Sequence, residues 1–265
     1  MTTEVLDTPV EPKKSRRRIG WLIALGVLVV VLVVGYFVAE NVARGYATDR
    51  IHDEIATAFD LDADHPMNID LGGGSLLLQA ATGTVDGVDV AIDDVALGDI
   101  TGDITLAARG IPLDTSKPAK MISASATVDE ANVAKLRDYL SGVELDSITL
   151  GDGVIDVGTT IDAVFLTVPV SASIAPSVAD GELVFTPQSV TVNGAVVAID
   201  DPLSGPLASV ASGFLGAQSF CVAQYLPAAI TLDDVTVTSD DLVLDFVGQN
   251  VALGGSGLSA KGTCG

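Results

Sequence analysis

Adjacent carboxylates are the residues most able to do chemistry in this sequence: Asp93–Asp94, Asp200–Asp201, Asp233–Asp234 and Asp240–Asp241. Two carboxylates meeting at one substrate atom could share general acid and general base roles. Neighbours on a strand point to opposite faces, so these pairs are expected at turns and edges and not as dyads. Calcium is the second chemistry that such acidity suggests. Asp60-Leu61-Asp62-Ala63-Asp64 opens like an EF-hand loop, but His65 occupies the position that needs Gly and Leu71 the one that needs a bidentate Glu. Gly254-Gly255-Ser256-Gly257 matches half of a calcium-binding turn and is not repeated. His52 and His65 are too few and too isolated for a zinc site. Leu258 breaks a G-x-S-x-G elbow, and no Lys follows Gly72-Gly73-Gly74 at phosphate-loop spacing. No metal, no cofactor and no enzymatic activity is expected.

Charge and apolar runs define the elements that carry these residues. The 265 residues hold 13 Lys and Arg against 35 Asp and Glu, a net charge of −22. Nucleic acid is excluded as a partner, because its affinity for proteins comes mainly from bases that neutralise phosphates. Residues 1–18 carry five bases and three acids, whereas the chain from Glu40 onward carries eight bases and 32 acids. Between them, residues 19–39 run 21 residues without a charge. A helix of that length, at ~1.5 Å per residue, covers about 31 Å, close to the ~30 Å hydrocarbon core of a bilayer.

The positive-inside rule then predicts a cytoplasmic basic tail (1–18), a single plasma-membrane span (19–39) and an extracytoplasmic remainder. A cleaved signal peptide is the alternative, although its apolar core would be ~7 to 15 residues and the acceptable Gly45-Tyr46-Ala47 site lies late. Either way the acidic part is exported. Cys221 and Cys264 are even in number and suit an oxidising compartment; they either bridge the C-terminal tail to the body or remain free thiols.

Residues 40–62 read as an amphipathic helix, with Ala43, Ala47, Ile51, Ile55, Ala58 and Phe59 on one face. Its mixed charges favour docking on the domain over lying on the membrane. From Met67 the period changes to two, as in Val88, Val90, Ile92 and in Leu242, Leu244, Phe246, which predicts antiparallel strands through 63–265. Two helices interrupt them, one near Asp129 carrying Val133, Leu136 and Leu140, the other opening at Asp201-Pro202. Ile92-Asp93-Asp94-Val95 echoes Leu232-Asp233-Asp234-Val235.

The helix Ala43-Arg44-Gly45-Tyr46-Ala47, the run Ile69-Asp70-Leu71-Gly72-Gly73-Gly74-Ser75-Leu76-Leu77-Leu78-Gln79, then Gly83-Thr84-Val85-Asp86-Gly87-Val88-Asp89-Val90, and the late Leu226-Pro227-Ala228 and Ile230-Thr231-Leu232 resemble the LmeA-like phospholipid-binding family of actinobacterial envelopes. The resemblance implies an α+β, predominantly antiparallel fold: a long curled sheet wrapped on a helix, like the tubular lipid-binding proteins, with an apolar groove. It implies a phospholipid partner and a role in envelope lipid or lipoglycan maintenance. Unbroken apolar runs are the expected lining: Leu76, Leu77 and Leu78; Val164, Phe165 and Leu166; and Leu207, Val210, Phe214 and Leu215. The alternative is an acidic β-rich envelope module without a lipid ligand, since a charge of −24 repels an anionic membrane surface.

Overall fold

The structure, a computed structural model, describes residues 16–97, 99–135, 145–163, 166–197, 218–252, 254 and 260–264. Two compact units divide the chain between Ala47 and Thr48. Helix α1 (Arg16–Ala58) runs from the first unit into the second. Its segment Leu25–Ala58 is long and apolar enough to cross a membrane, and Val27 to Val34 are all exposed. Valine-rich runs are mediocre helix formers in water. In hydrocarbon, where each backbone group needs an internal partner, the helix is the conformation available to a single segment.

The sequence reading separates a span from a following amphipathic helix; in the structure they are one helix. It ends where Asp60 takes a left-handed φ of 54° and Leu61 N–H donates to the Ala56 carbonyl at 2.8 Å, a Schellman-type stop. Within the second unit the last turns of α1 dock: Ile51, Ile55 and Phe59 pack against a core of Val90, Ile92, Val95 and Ile104. Ala56 is the buried alanine of this segment, while Ala58 is exposed.

The second unit is built from two antiparallel sheets. The first has the order β1 (Met67–Asp70), β2 (Thr84–Leu97), β3 (Ile100–Pro112), β4 (Pro118–Asp129), β12 (Asp241–Ala252), β11 (Thr231–Val237). The second has the order β10 (Gln218–Cys221), β8 (Glu182–Val192), β7 (Leu166–Ala179), β6 (Ile155–Ala163), β5 (Ser147–Leu150), with β9 (Ala195–Val197) also on β8. Two short helices join them to the rest, α2 (Leu76–Thr82) and α3 (Glu130–Val133). The protein is thus predominantly antiparallel β with open sheets, the class that the period-two alternation implies.

A second core binds the sheets together. Val128, Val237 and the flanking Leu242 from the first meet Ile148, Leu150, Val157, Val170, Ala172 and Val190 from the second. At this junction α3 acts as a polar rivet. Asn132 accepts from Thr101 N–H of β3 at 3.1 Å, the Glu130 carboxylate accepts from Leu150 N–H of β5 at 2.9 Å, and Glu130 N–H donates to the Asp240 carbonyl at 2.9 Å. Asn132 is one of two buried polar side chains among the described residues, and these bonds satisfy it.

Asp129 caps α3 by accepting from Asn132 N–H at 2.7 Å and from its side-chain amide at 3.1 Å, and so starts this helix. The backbone donor first, then the amide, hold the Asp129 carboxyl below its ordinary value of 3.8. Because the folded value is the lower one, its stabilisation is present above the ordinary value and fades as pH falls through the folded value. Asp129→Asn is therefore expected to melt below the natural protein at neutral pH, with the gap closing in acid. Melting curves from pH 7 to pH 2 check this; a constant gap would contradict it.

Two β-bulges set the phase of the first sheet. In β2 the pairing with β3 shifts between Ile92 and Val95, and in β11 the pairing with β12 shifts between Leu232 and Asp234. The extra residues come from the pairs Asp93–Asp94 and Asp233–Asp234, which the sequence places at turns and edges. Asp94 has φ 56° and its N–H donates to the Asp103 carboxylate at 3.0 Å. His65 donates from Nε2 to the Asp93 carbonyl, and His52 does the same to the His65 carbonyl. The histidines thus fasten α1 to the bulge.

Candidate functional site

Pairing register divides the first sheet into two chemically distinct faces. On one face the cross-strand rows read Val90–Leu106–Ala124–Phe246–Leu232, Ile92–Ile104–Ala126–Leu244–Val235 and Val88–Ala108–Ile122–Gly248. Every side chain in these rows is apolar or absent. On the other face they read Asp70–Asp89–Ala107–Ser123–Val247–Thr231 and Asn68–Ala91–Thr105–Ser125–Asp245–Asp234. Alternation in the strand sequences produces this division, most plainly in Ile122-Ser123-Ala124-Ser125-Ala126-Thr127-Val128.

The apolar face is closed at both ends by packing and is thinner in its middle. At the β2–β3 end, α1 covers Val90, Ile92 and Ile104. At the other end Val128, Val237 and Leu242 enter the core shared with the second sheet. Between them Leu106, Ala108, Ile122, Ala124, Ala126, Leu244 and Phe246 are half-buried. Ala124 and Ala126 on β4, flanked by Leu106 and Ile104 on one side and by Phe246 and Leu244 on the other, make a strip of small side chains between larger ones, here called the trough. A β-carbon on Gly248 would lie 2.7 Å from the Ala229 carbonyl oxygen and 2.6 Å from Ile230, so the chain after β10 crosses the trough closely there. Such a surface can receive hydrocarbon and offers nothing to a charged group.

The opposite face forms an open concavity of about 650 Å³ over Asn68, Asp70, Asp89, Thr105, Ser123, Ser125, Asp233, Asp234 and Asp245. Its floor is hydroxyls and alanines and its two rims are carboxylates. Arg109 donates to Asp89 at 2.6 Å and also to the Val88 and Ala108 carbonyls. An acyl chain in this concavity would displace water from carboxylates without replacing their hydrogen bonds. Among the described residues no group of three or more His, Cys, Asp or Glu side chains is arranged to hold a metal ion.

The expected lining residues fall in different places. Leu76, Leu77 and Leu78 form the first turn of α2, capped by Ser75 accepting from Leu78 N–H at 3.2 Å and stopped by Gly83 at φ 79°. Leu76 is buried, Leu77 half-buried and Leu78 exposed. Leu166 opens β7. Val164, Phe165, Leu207, Val210, Phe214 and Leu215 lie outside the described residues, as does the helix expected from Asp201. Cys221 and Cys264 are joined by a disulfide. The trough residues Ala124, Ala126, Leu244 and Phe246 were not foreseen as site residues, although the Ser-Ala-Ser-Ala alternation carries the signal.

The family model described as LmeA-like phospholipid-binding matches this chain over residues 38–246. Curated proteins and solved structures give no match.

Proposed function

This chain belongs to the LmeA-like phospholipid-binding family, and from that premise we propose that the apolar trough of its first sheet holds phospholipid acyl chains outside the plasma membrane. One observation carries the proposal: a face of uninterrupted apolar rows, half-open between two closed cores, in a member of a phospholipid-binding family. Each methylene kept from water is worth ~0.8 kcal/mol, so a chain leaving the bilayer needs a surface of this kind to avoid that loss. The lining expected from the sequence at Leu76, Leu77, Leu78 and Leu166 belongs to the same proposal, while the expected Val164, Phe165, Leu207, Val210, Phe214 and Leu215 lie outside the described residues and carry none of it.

The basic tail 1–18 supports a cytoplasmic N-terminus, 19–39 the span, and 40–62 with 63–265 an extracytoplasmic lipid-binding domain. In that setting the protein binds and does not transform its ligand, serving envelope lipid or lipoglycan maintenance. The test is native mass spectrometry of Asn41 to Gly265 expressed without the span, with lipid extraction alongside. Phospholipid near one per chain is the expected result. A bare mass that gains nothing from phospholipid vesicles would sink the proposal. It would favour the second reading, an acidic β-rich envelope module working through the carboxylate-rimmed concavity.

A further inference from the structure

Large apolar side chains left in water are few in the second unit, and they are not scattered. Beyond α1, the exposed ones among the described residues are Leu78 (66%), Leu113 (54%), Met121 (43%), Val196, Phe220 and Tyr225. Phe220 and Tyr225 cover one another as a stacked pair at 5.6 Å. Leu78, Leu113 and Met121 belong to one end of the first sheet. Leu113 N–H donates to the carbonyl of Gly83, the residue that stops α2, at 3.0 Å, and Met121 pairs with Arg109 in the same β3–β4 hairpin.

Charge singles out the same end. The stretch 109–120 holds Arg109, Lys117 and Lys120 against one acid, Asp114, in an exported part with eight bases and 32 acids. Arg109 neutralises Asp89 at 2.6 Å and Lys117 faces Asp114 at 3.7 Å. Lys120 lies over Gly110, which as glycine has no β-carbon to obstruct it. Two further carboxylates lie at this end, Asp86, whose N–H donates to Gln79 at 2.8 Å, and Asp70, paired across strands with Asp89. With Arg109, Lys117 and Lys120 beside Asp70, Asp86, Asp89 and Asp114, this end is far closer to neutral than the domain as a whole, and repulsion from an anionic surface is reduced here accordingly.

Exposed leucines flanked by lysines suit an interface in which apolar groups enter the acyl boundary and ammonium groups meet phosphates. From this we infer that α2 and the β3–β4 hairpin form a docking tip for a phospholipid bilayer surface, with Leu78 and Leu113 entering it and Lys117 and Lys120 at headgroup level. The inference rests on the reading of the chain as a phospholipid-binding protein and places its membrane contact apart from the trough.

The test uses the full chain in phosphatidylcholine–phosphatidylglycerol vesicles whose acyl chains are brominated. Trp21 is the sole tryptophan, so W21F gives a silent background for L113W or, as a distant control, V196W. L113W is expected to shift to the blue and lose more than half of its emission, V196W to keep its own, and K117E/K120E to restore the emission of L113W. An L113W signal no different from that of V196W overturns the inference. So does quenching that K117E/K120E leaves unchanged, since it would come from a carried lipid. Should Asn41 to Gly265 carry no phospholipid while L113W still responds as expected, the trough reading fails and the docking tip stands.

Discussion

Ala124→Trp is expected to empty the protein of phospholipid. Ala124 sits between Leu106 and Phe246 in the central row of the apolar face, and its side chain is the floor of the trough. An indole there fills the space that a hydrocarbon chain would use, and the bound amount should fall about tenfold or more, equivalent to roughly 1.4 kcal/mol of lost affinity. Overpacking costs a partly filled face about 1 to 3 kcal/mol, so the variant should still fold and melt somewhat earlier. Ser125→Trp is the matched control, because the next residue of β4 points into the carboxylate-rimmed concavity. Lipid extraction from both variants decides between the faces. Loss in Ser125→Trp with retention in Ala124→Trp would move the site to the polar side.

Replacing Cys221 and Cys264 together by Ser is expected to cause the largest loss of stability. The bridge spans a sequence separation of 43. Opening a loop of that size returns about 4 kcal/mol of chain entropy to the unfolded state. Among the described residues, the C-terminal tail is then held by Ala228 N–H to Ala260 at 2.8 Å, Gly262 N–H to Leu226 at 3.1 Å, the Pro227–Lys261 bridge, and Lys261 Nζ donating to the Tyr225 carbonyl at 2.7 Å. With a urea slope of about 2 kcal/mol per molar, the midpoint should fall by about 2 M. The natural protein unfolded in dithiothreitol should show the same midpoint as the variant. If all three forms unfold together, the bridge contributes nothing.

Much of the fold is legible in the sequence because period two is a local signal. Val88, Val90 and Ile92 announce β2, and Leu242, Leu244 and Phe246 announce β12, before any partner is known. The pairing of β4 with β12 has no such signal, as it depends on residues more than a hundred positions apart meeting in register. The site is less legible for a related reason. Runs such as Leu76-Leu77-Leu78 attract notice because they are bulky, whereas a trough needs small residues at its centre, and alanine in a strand looks unremarkable until its neighbours are placed. Helix α2 interrupts a stretch that the alternation assigns to strands; its short length leaves no helical period to read, and its ends are set by Ser75 and Gly83.

The acidic pairs at the two bulges have a consequence for how this sequence can change. Val88, Val90 and Ile92 occupy even positions and Val95 an odd one, yet Ile92 and Val95 are both wholly buried. The added residue flips the parity of the strand. Removing one Asp would make the pairing with β3 regular and leave Val95 opposite Gly102, on the face of Ile92; what it would take away is the local bend that the extra residue gives the strand, with the bond from Asp94 N–H to Asp103 and the Asp93 carbonyl that His65 holds. Point changes at Asp93 or Asp233 leave that count intact. Substitution at Asp93 or Asp233 therefore keeps the bend, whereas loss of one residue from either pair keeps the two faces and straightens the strand, so it is curvature that the extra residue encodes.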